Sequence, residues 1–143
     1  AKARFVAEQK TGRHIIIGSD QVAECEGRWL SKPGTPDNAV NQLEHASGKT
    51  AFFHTGLCVW DTNTNRYHSE VISTQVRFRV LEISEIERYV AAEDVLGCAG
   101  SAKSEGLGIT LLDSILGPDP TALVGLPLIA LSRMLRSYGV RLP

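Results

Sequence analysis

Asp20 follows the β-branched run His14-Ile15-Ile16-Ile17, inside the motif GSDQV at residues 18–22, and Lys32 stands before Pro33. In α/β architecture the carboxyl tips of strands are where departing loops converge polar groups over a crevice, so a carboxylate borne at the end of an apolar strand is a first candidate for catalysis. An aspartate that simply opens a turn after a buried strand fits the same spacing. Lys32 is a compact cation of the kind that partners phosphate as a point charge. A second concentration is the run CAGSAKSEG at residues 98–106, where Lys103 and Glu105 lie two apart among glycines and serines. In an extended loop they would project to one side. Glycine lets backbone approach a ligand closely and frees amides for anions. A solvated turn with an incidental ion pair accounts for the same letters.

The elements that must position these groups read as a mixed α/β sheet flanked by helices. Residues 1–10 look like the end of a polar-faced helix, with Phe5 and Val6 as its bulky apolar positions. Residues 14–23 read as a buried strand, because a short β-branched run between turn residues suits a sheet interior, and residues 24–34 read as loop. A helix follows, with Thr35 as cap, Pro36 in its first turn, Ala39, Val40 and Leu43 as its apolar stripe, and Gly48 at its end. Residues 50–60 and 67–80 form a hairpin through Asp61, Asn63 and Asn65. In the second strand Ile72, Thr74, Val76, Phe78 and Val80 alternate with polar residues, the period of a half-buried strand. A third helix is expected from Ser84, where Ser-Glu-Ile-Glu offers a reciprocal cap and Ile86, Tyr89 and Val90 an apolar face. Residues 109–115 read as another buried strand. Leu128, Leu131, Leu135 and Tyr138 fall at helical spacing before Gly139, and Asp119 and Thr121 stand ahead of that helix as a cap or a phosphate contact.

A chain of 143 residues suffices for a single domain with a sizeable core. Its 43% hydrophobic and 22% charged residues are ordinary for a soluble protein, and a net charge of −1 offers no broad basic field for nucleic acid or membranes. Cys25, Cys58 and Cys98 lack CxxC spacing and are odd in number, which argues against a disulfide framework or zinc knuckle and fits a cytoplasmic location. No stretch approaches membrane-spanning length. His14, His45, His54 and His68 show neither metal spacing nor a partnered nucleophile, and read as structural or surface groups. Trp29 and Trp60 read as core or hinge residues, with stacking on a cationic base as the alternative.

The segments GSDQV at 18–22, SKPGTPDNAVNQLEHASGKT at 31–50, HTGLCVW at 54–60, CAGSAKSEGLGITL at 98–111 and LVGLPLIAL at 123–131 resemble the Maf nucleotide pyrophosphatases, in order and nearly end to end. The resemblance implies a sheet-and-helix fold of the Maf and inosine-triphosphatase type. It also implies water attack on the α-phosphorus of a nucleoside triphosphate, releasing a monophosphate and pyrophosphate. Gln21 after Asp20, and KSEG in the glycine loop, resemble the branch acting on 7-methyl-GTP rather than the dTTP/UTP branch. Carried over by residue, the resemblance makes Asp20 the catalytic carboxylate and a ligand for a divalent metal, Mg²⁺ or Mn²⁺. It makes Lys32, with Lys103, phosphate-contacting cations, and Gln21 and Glu105 positions of base selection. Glu105 would accept from a guanine edge and repel a pyrimidine carbonyl.

One departure stands out. The family's first strand, its SxSPRR-type phosphate loop and part of its first helix have no counterpart in these residues, so the sequence reads as an amino-terminally shortened form. A shortened sheet would leave an edge unpaired, from which a homodimer is expected. Two alternatives to 7-methyl-GTP hydrolysis follow: a catalytically impaired nucleotide-binding or interaction module, and a pyrophosphatase preferring dTTP or UTP.

Overall fold

The computed structural model describes residues 2–143. Helix α1 (Lys2–Ala7) precedes β1 (Ile15–Cys25), β2 (Arg28–Leu30), α2 (Pro36–Ala46), β3 (Thr50–Asp61), β4 (Arg66–Phe78) and α3 (Ile83–Ala92). Two 3-10 turns, Ala99–Ser101 and Leu107–Leu111, lead into β5 (Leu112–Leu116), and α4 (Leu128–Ser137) follows. The strands form one sheet in the order β2-β1-β3-β4-β5, with β1–β2 and β4–β5 paired antiparallel. The expected mixed α/β class is observed.

Two compact units divide the chain. The first gathers the residues up to Asp20 with Thr55–Ile72 and Asp119–Pro143; the second holds Gln21–His54 and Ser73–Pro118.

In the first unit Leu57, Val59, Ile72, Ala122, Ala130, Leu131 and Met134 form a buried cluster, with Leu135 and Tyr138 packed against it. Helix α4 presents Ala130, Leu131 and Met134 inward, whereas Leu128 is about half exposed. Its start is satisfied by the residues expected to do so. Asp119 Oδ2 accepts from the Ile129 amide at 2.8 Å, and Thr121 Oγ1 accepts from the Leu128 amide at 2.7 Å, pairing donors that an α-helix leaves orphaned. The β3–β4 turn also follows expectation: Asp61 accepts from the Asn63 amide and the Thr64 hydroxyl, and Asn65 adopts φ 54°.

In the second unit α2 begins on the Thr35 side chain, which accepts from the Asn38 amide, and buries Ala39, Gln42, Leu43 and Ala46. Strand β4 alternates as read, with Thr74, Val76 and Phe78 buried and Ser73, Gln75 and Arg77 exposed. Val80 lies beyond the strand end and is 80% exposed, so it does not continue that apolar face.

Four local expectations are corrected. Residues 24–34 are not simply loop: β1 runs on to Cys25, turns at Glu26 (φ 50°) and Gly27 (φ 76°), and returns as β2 with Leu30 opposite Ala23. Two successive positive φ values give a turn whose twist matches a hairpin. Helix α3 starts from Glu82 rather than Ser84, and the Glu85 carboxylate accepts from the Glu82 amide at 3.0 Å. Residues 109–115 are not a buried strand; Leu111 is buried at the end of a 3-10 turn, and in β5 the residues beyond Leu112 are exposed. Helix α1 ends at Ala7 rather than near Lys10, and its buried residue is Ala3.

Candidate active site

Asp20 is the sixth of the eleven residues of β1, not a residue at its tip, because the strand continues into the hairpin with β2. Its surroundings depend on Gly18. A β-carbon there would lie 2.9 Å from the Ala3 backbone nitrogen, so the missing side chain is what lets α1 lie against the strand. That approach brings Lys2 over the next residues: its Nζ stands 2.9 Å from Asp20 Oδ1 and donates to the Ser19 carbonyl at 3.3 Å. The Ser19 hydroxyl lies 3.0 Å from the Gly56 carbonyl and 2.7 Å from that of Gly125, sharing its proton between them.

Lys2, Ser19, Asp20, Cys58, Glu70 and Val71 are among the residues lining a cavity of about 340 Å³ in this unit. The Lys2 and Asp20 side chains are 60% and 68% exposed, so their ion pair adds little to stability; it can be exchanged for contacts to a ligand. Glu70 is gripped by Arg133 at 2.6 Å. Burial pushes the Cys58 thiol above its ordinary pKa, which keeps it protonated and a poor nucleophile at neutral pH.

Gln21, Lys32, Lys103 and Glu105 belong to the second unit. Lys32 lines a cleft of about 240 Å³ with Arg28, Trp29, Asn38 and Asn41, a lining that includes neither Lys103 nor Glu105. Lys103 is not paired with Glu105. Its Nζ donates to Glu93 Oε1 at 2.7 Å, and Glu93 Oε2 accepts from the Leu107 amide at 3.0 Å. That hydrogen bond raises the Lys103 pKa and holds the Glu93 carboxyl below the usual range. The extended geometry expected for residues 103–105 is absent, since the Gly106 amide closes a turn on the Lys103 carbonyl at 3.0 Å. Glu105 is exposed and Gln21 half-buried.

The glycine loop is anchored from beneath. The Tyr89 hydroxyl donates to the Ser101 carbonyl and accepts from the Lys103 amide, both at 3.1 Å, and burial pushes its pKa up to about 12. The Ser101 hydroxyl donates to Gln42 Oε1 at 2.7 Å, and Gln42 Nε2 donates to the Ser31 carbonyl at 2.8 Å. A β-carbon at Gly108 would sit 2.6 to 2.8 Å from the Lys103 backbone, so that glycine is dictated by packing.

The Maf-like protein family model matches residues 1–138. The chain belongs to the Maf family. It is 55% identical over 142 residues to a 7-methyl-GTP pyrophosphatase of Aromatoleum aromaticum, covering 99% of this chain and 73% of that protein. Proteins of the same name from Burkholderia pseudomallei and Idiomarina loihiensis are each 52% identical over 141 residues. Those matches cover 97% and 98% of this chain, and 66% and 71% of the relatives. The chain thus spans about two thirds to three quarters of the length of these curated relatives.

Within this Maf domain Lys2, Glu70, Glu93 and Tyr89 were not legible as site residues. Lys2 meets Asp20, and Glu93 meets Lys103, through folding alone, and no sequence spacing signals either contact. Among the described residues no group of three or more His, Cys, Asp or Glu side chains is gathered to hold a metal. Three of the four histidines have hydrogen-bond partners: His14 the Thr11 carbonyl, His45 the Cys25 carbonyl and His54 the Ser73 hydroxyl. No helix among the described residues is long and apolar enough to cross a membrane.

Proposed function

We propose that this Maf chain is a nucleoside triphosphate pyrophosphatase acting on 7-methyl-GTP, releasing the monophosphate and pyrophosphate. The observation that carries this reading is the cavity in which the Asp20 carboxylate meets the Lys2 ammonium, in a chain whose 52–55% identical relatives bear that activity in their names. Phosphoryl-type transition states leave a protein little covalent work, so positioning and charge neutralisation supply most of the rate. In the first unit Asp20 orients the attacking water and accepts its proton, while Lys2 neutralises phosphate charge by trading Asp20 for phosphate oxygens. For the second unit the family resemblance assigns phosphate contacts to Lys32 and Lys103, the latter in exchange for Glu93, and base selection to Gln21 and Glu105.

A divalent cation belongs to the same reading. Asp20 and Glu70 line one cavity, and Mg²⁺ is commonly held by one or two carboxylates together with substrate phosphates. When bound, such an ion neutralises charge and acidifies water. The three free thiols suit a reducing cytoplasm. A homodimer through the outer edge of β1 is part of the proposal, supported by a β2 register that covers only Ala23–Cys25 and by the exposure of Ile15 and Ile17.

The test is pyrophosphate release from a panel of 7-methyl-GTP, GTP, dTTP and UTP. The methylated nucleotide is expected to give the highest kcat/KM, and Asp20→Asn to lower kcat by at least about 100-fold, the scale of a lost general base. Equal turnover by Asp20→Asn would sink the assignment.

A further inference from the structure

The charged side chains lining the cavity of the first unit are Lys2, Asp20 and Glu70, a net negative wall around a space that the reading above gives to a polyanion. The compensating cation comes from outside that lining. Arg133 of α4 meets Glu70 Oε2 at 2.6 Å, across 63 positions of sequence, and all four residues belong to the first unit. The fold explains the meeting. Glu70 shares a strand face with Ile72, and Ile72 packs in the cluster that holds Ala130, Leu131 and Met134 of α4, so burying one apolar strip sets a guanidinium beside a carboxylate of the cavity. Each acid there has a cation of its own, Lys2 for Asp20 and Arg133 for Glu70.

We infer that Arg133 is a positioning residue that sets the affinity of Glu70 for a divalent cation, an inference resting on the pyrophosphatase reading for the ion concerned. Glu70 can donate its carboxylate to such an ion only by giving up the guanidinium. Without the ion, Arg133 keeps that acid engaged and the cavity balanced in charge. The Arg133 and Glu70 side chains are 59% and 37% exposed, and a pair so open to water is held weakly enough to be exchanged. Arg133, once released, is a free planar fork of the kind that matches phosphate oxygens. Glu70 and Arg133 thus restrain each other until a cation and a phosphate arrive together, and neither charge is then left without a partner.

The experiment measures Mn²⁺ binding to the nucleotide-free chain, by electron paramagnetic resonance of the unbound ion. Arg133→Met is expected to tighten binding about three- to tenfold, by removing both a competitor and a like charge, and Arg133→Lys to restore most of the wild-type value. Glu70→Gln is expected to weaken binding, and in its background Arg133→Met should change the affinity by less than about twofold. Added salt should narrow the gap between wild type and Arg133→Met, which loss of a merely structural contact would not do. Equal or undetectable Mn²⁺ binding in wild type and Arg133→Met, in a chain that releases pyrophosphate from 7-methyl-GTP, overturns the role of Arg133 and leaves the pyrophosphatase reading standing. The expected tightening in a chain that releases no pyrophosphate from any nucleotide does the reverse. A tightening that persists undiminished in the Glu70→Gln background also overturns the role of Arg133.

Discussion

Charge at the glycine loop is controlled by a neighbour that sequence spacing conceals. Lys103 is held by Glu93, whose other oxygen takes the Leu107 amide, so one carboxylate fixes both ends of the turn. Glu93 is depressed below the usual carboxylate range and Lys103 raised above that of lysine. The pair's contribution is therefore lost only as pH falls through the low folded value of Glu93 or rises through the high folded value of Lys103. Between about pH 5 and 10 the pair stays charged, because both ordinary values lie outside that window, and pH-dependent turnover near neutrality has its origin elsewhere. Glu93→Gln is expected to speed amide hydrogen exchange at Leu107 and to lower KM for the triphosphate, by freeing Lys103 from its intramolecular competitor. Unchanged exchange at Leu107 would show that Glu93 does not order the loop.

Helix α4 is capped by side chains that lie several residues ahead of its first turn. Its cap residue is Pro127, which offers no side-chain hydrogen bond, and Asp119 and Thr121 do that work from an earlier turn. Burial of Asp119 disfavours its charge, but hydrogen bonds from the Thr121 hydroxyl and amide and the Ile129 amide outweigh it and hold the carboxyl below its ordinary range. The stabilisation is fully present above the unfolded value of about 3.9 and is lost as pH falls through the lower folded value. Asp119→Ala is expected to cost about 1–2 kcal/mol in urea unfolding at pH 7. That difference should shrink as pH falls below the ordinary carboxylate value and through the lower folded one; a pH-independent deficit would contradict the cap. The sequence pointed to Asp119 as a cap because Asp and Thr ahead of an apolar-periodic run carry that signal in their own letters.

Across the whole molecule, what could be read in advance was what local periodicity encodes. The alternation in β4, the Thr35-Pro36 start of α2 and the Asn-rich β3–β4 turn each carry their structure in neighbouring residues. The β1–β2 hairpin did not, because Glu26-Gly27 is an unusual pair for its turn and the short return strand exposes Arg28 and Trp29. Asp20 was picked for its type and set at a strand tip, because the β-branched run that announces β1 stops at Ile17 while the strand itself runs on to Cys25. Ligand binding supplies a molecule-wide readout. At a 7-methyl-GTP concentration 100 times Kd, the folded chain is expected to gain about 2.7 kcal/mol, measured as a rise in thermal midpoint. Asp20→Asn should retain most of that rise while losing turnover, which separates holding a nucleotide from hydrolysing it. The bare backbone at Gly18 has a further meaning. With Ala3 nitrogen 2.9 Å from where a β-carbon would go, a single added methyl acts as a wedge under the first helix, lifting its lysine from the acid it faces. Every reactive side chain would survive such a change, so the chain can be silenced at a position that has no functional group to lose.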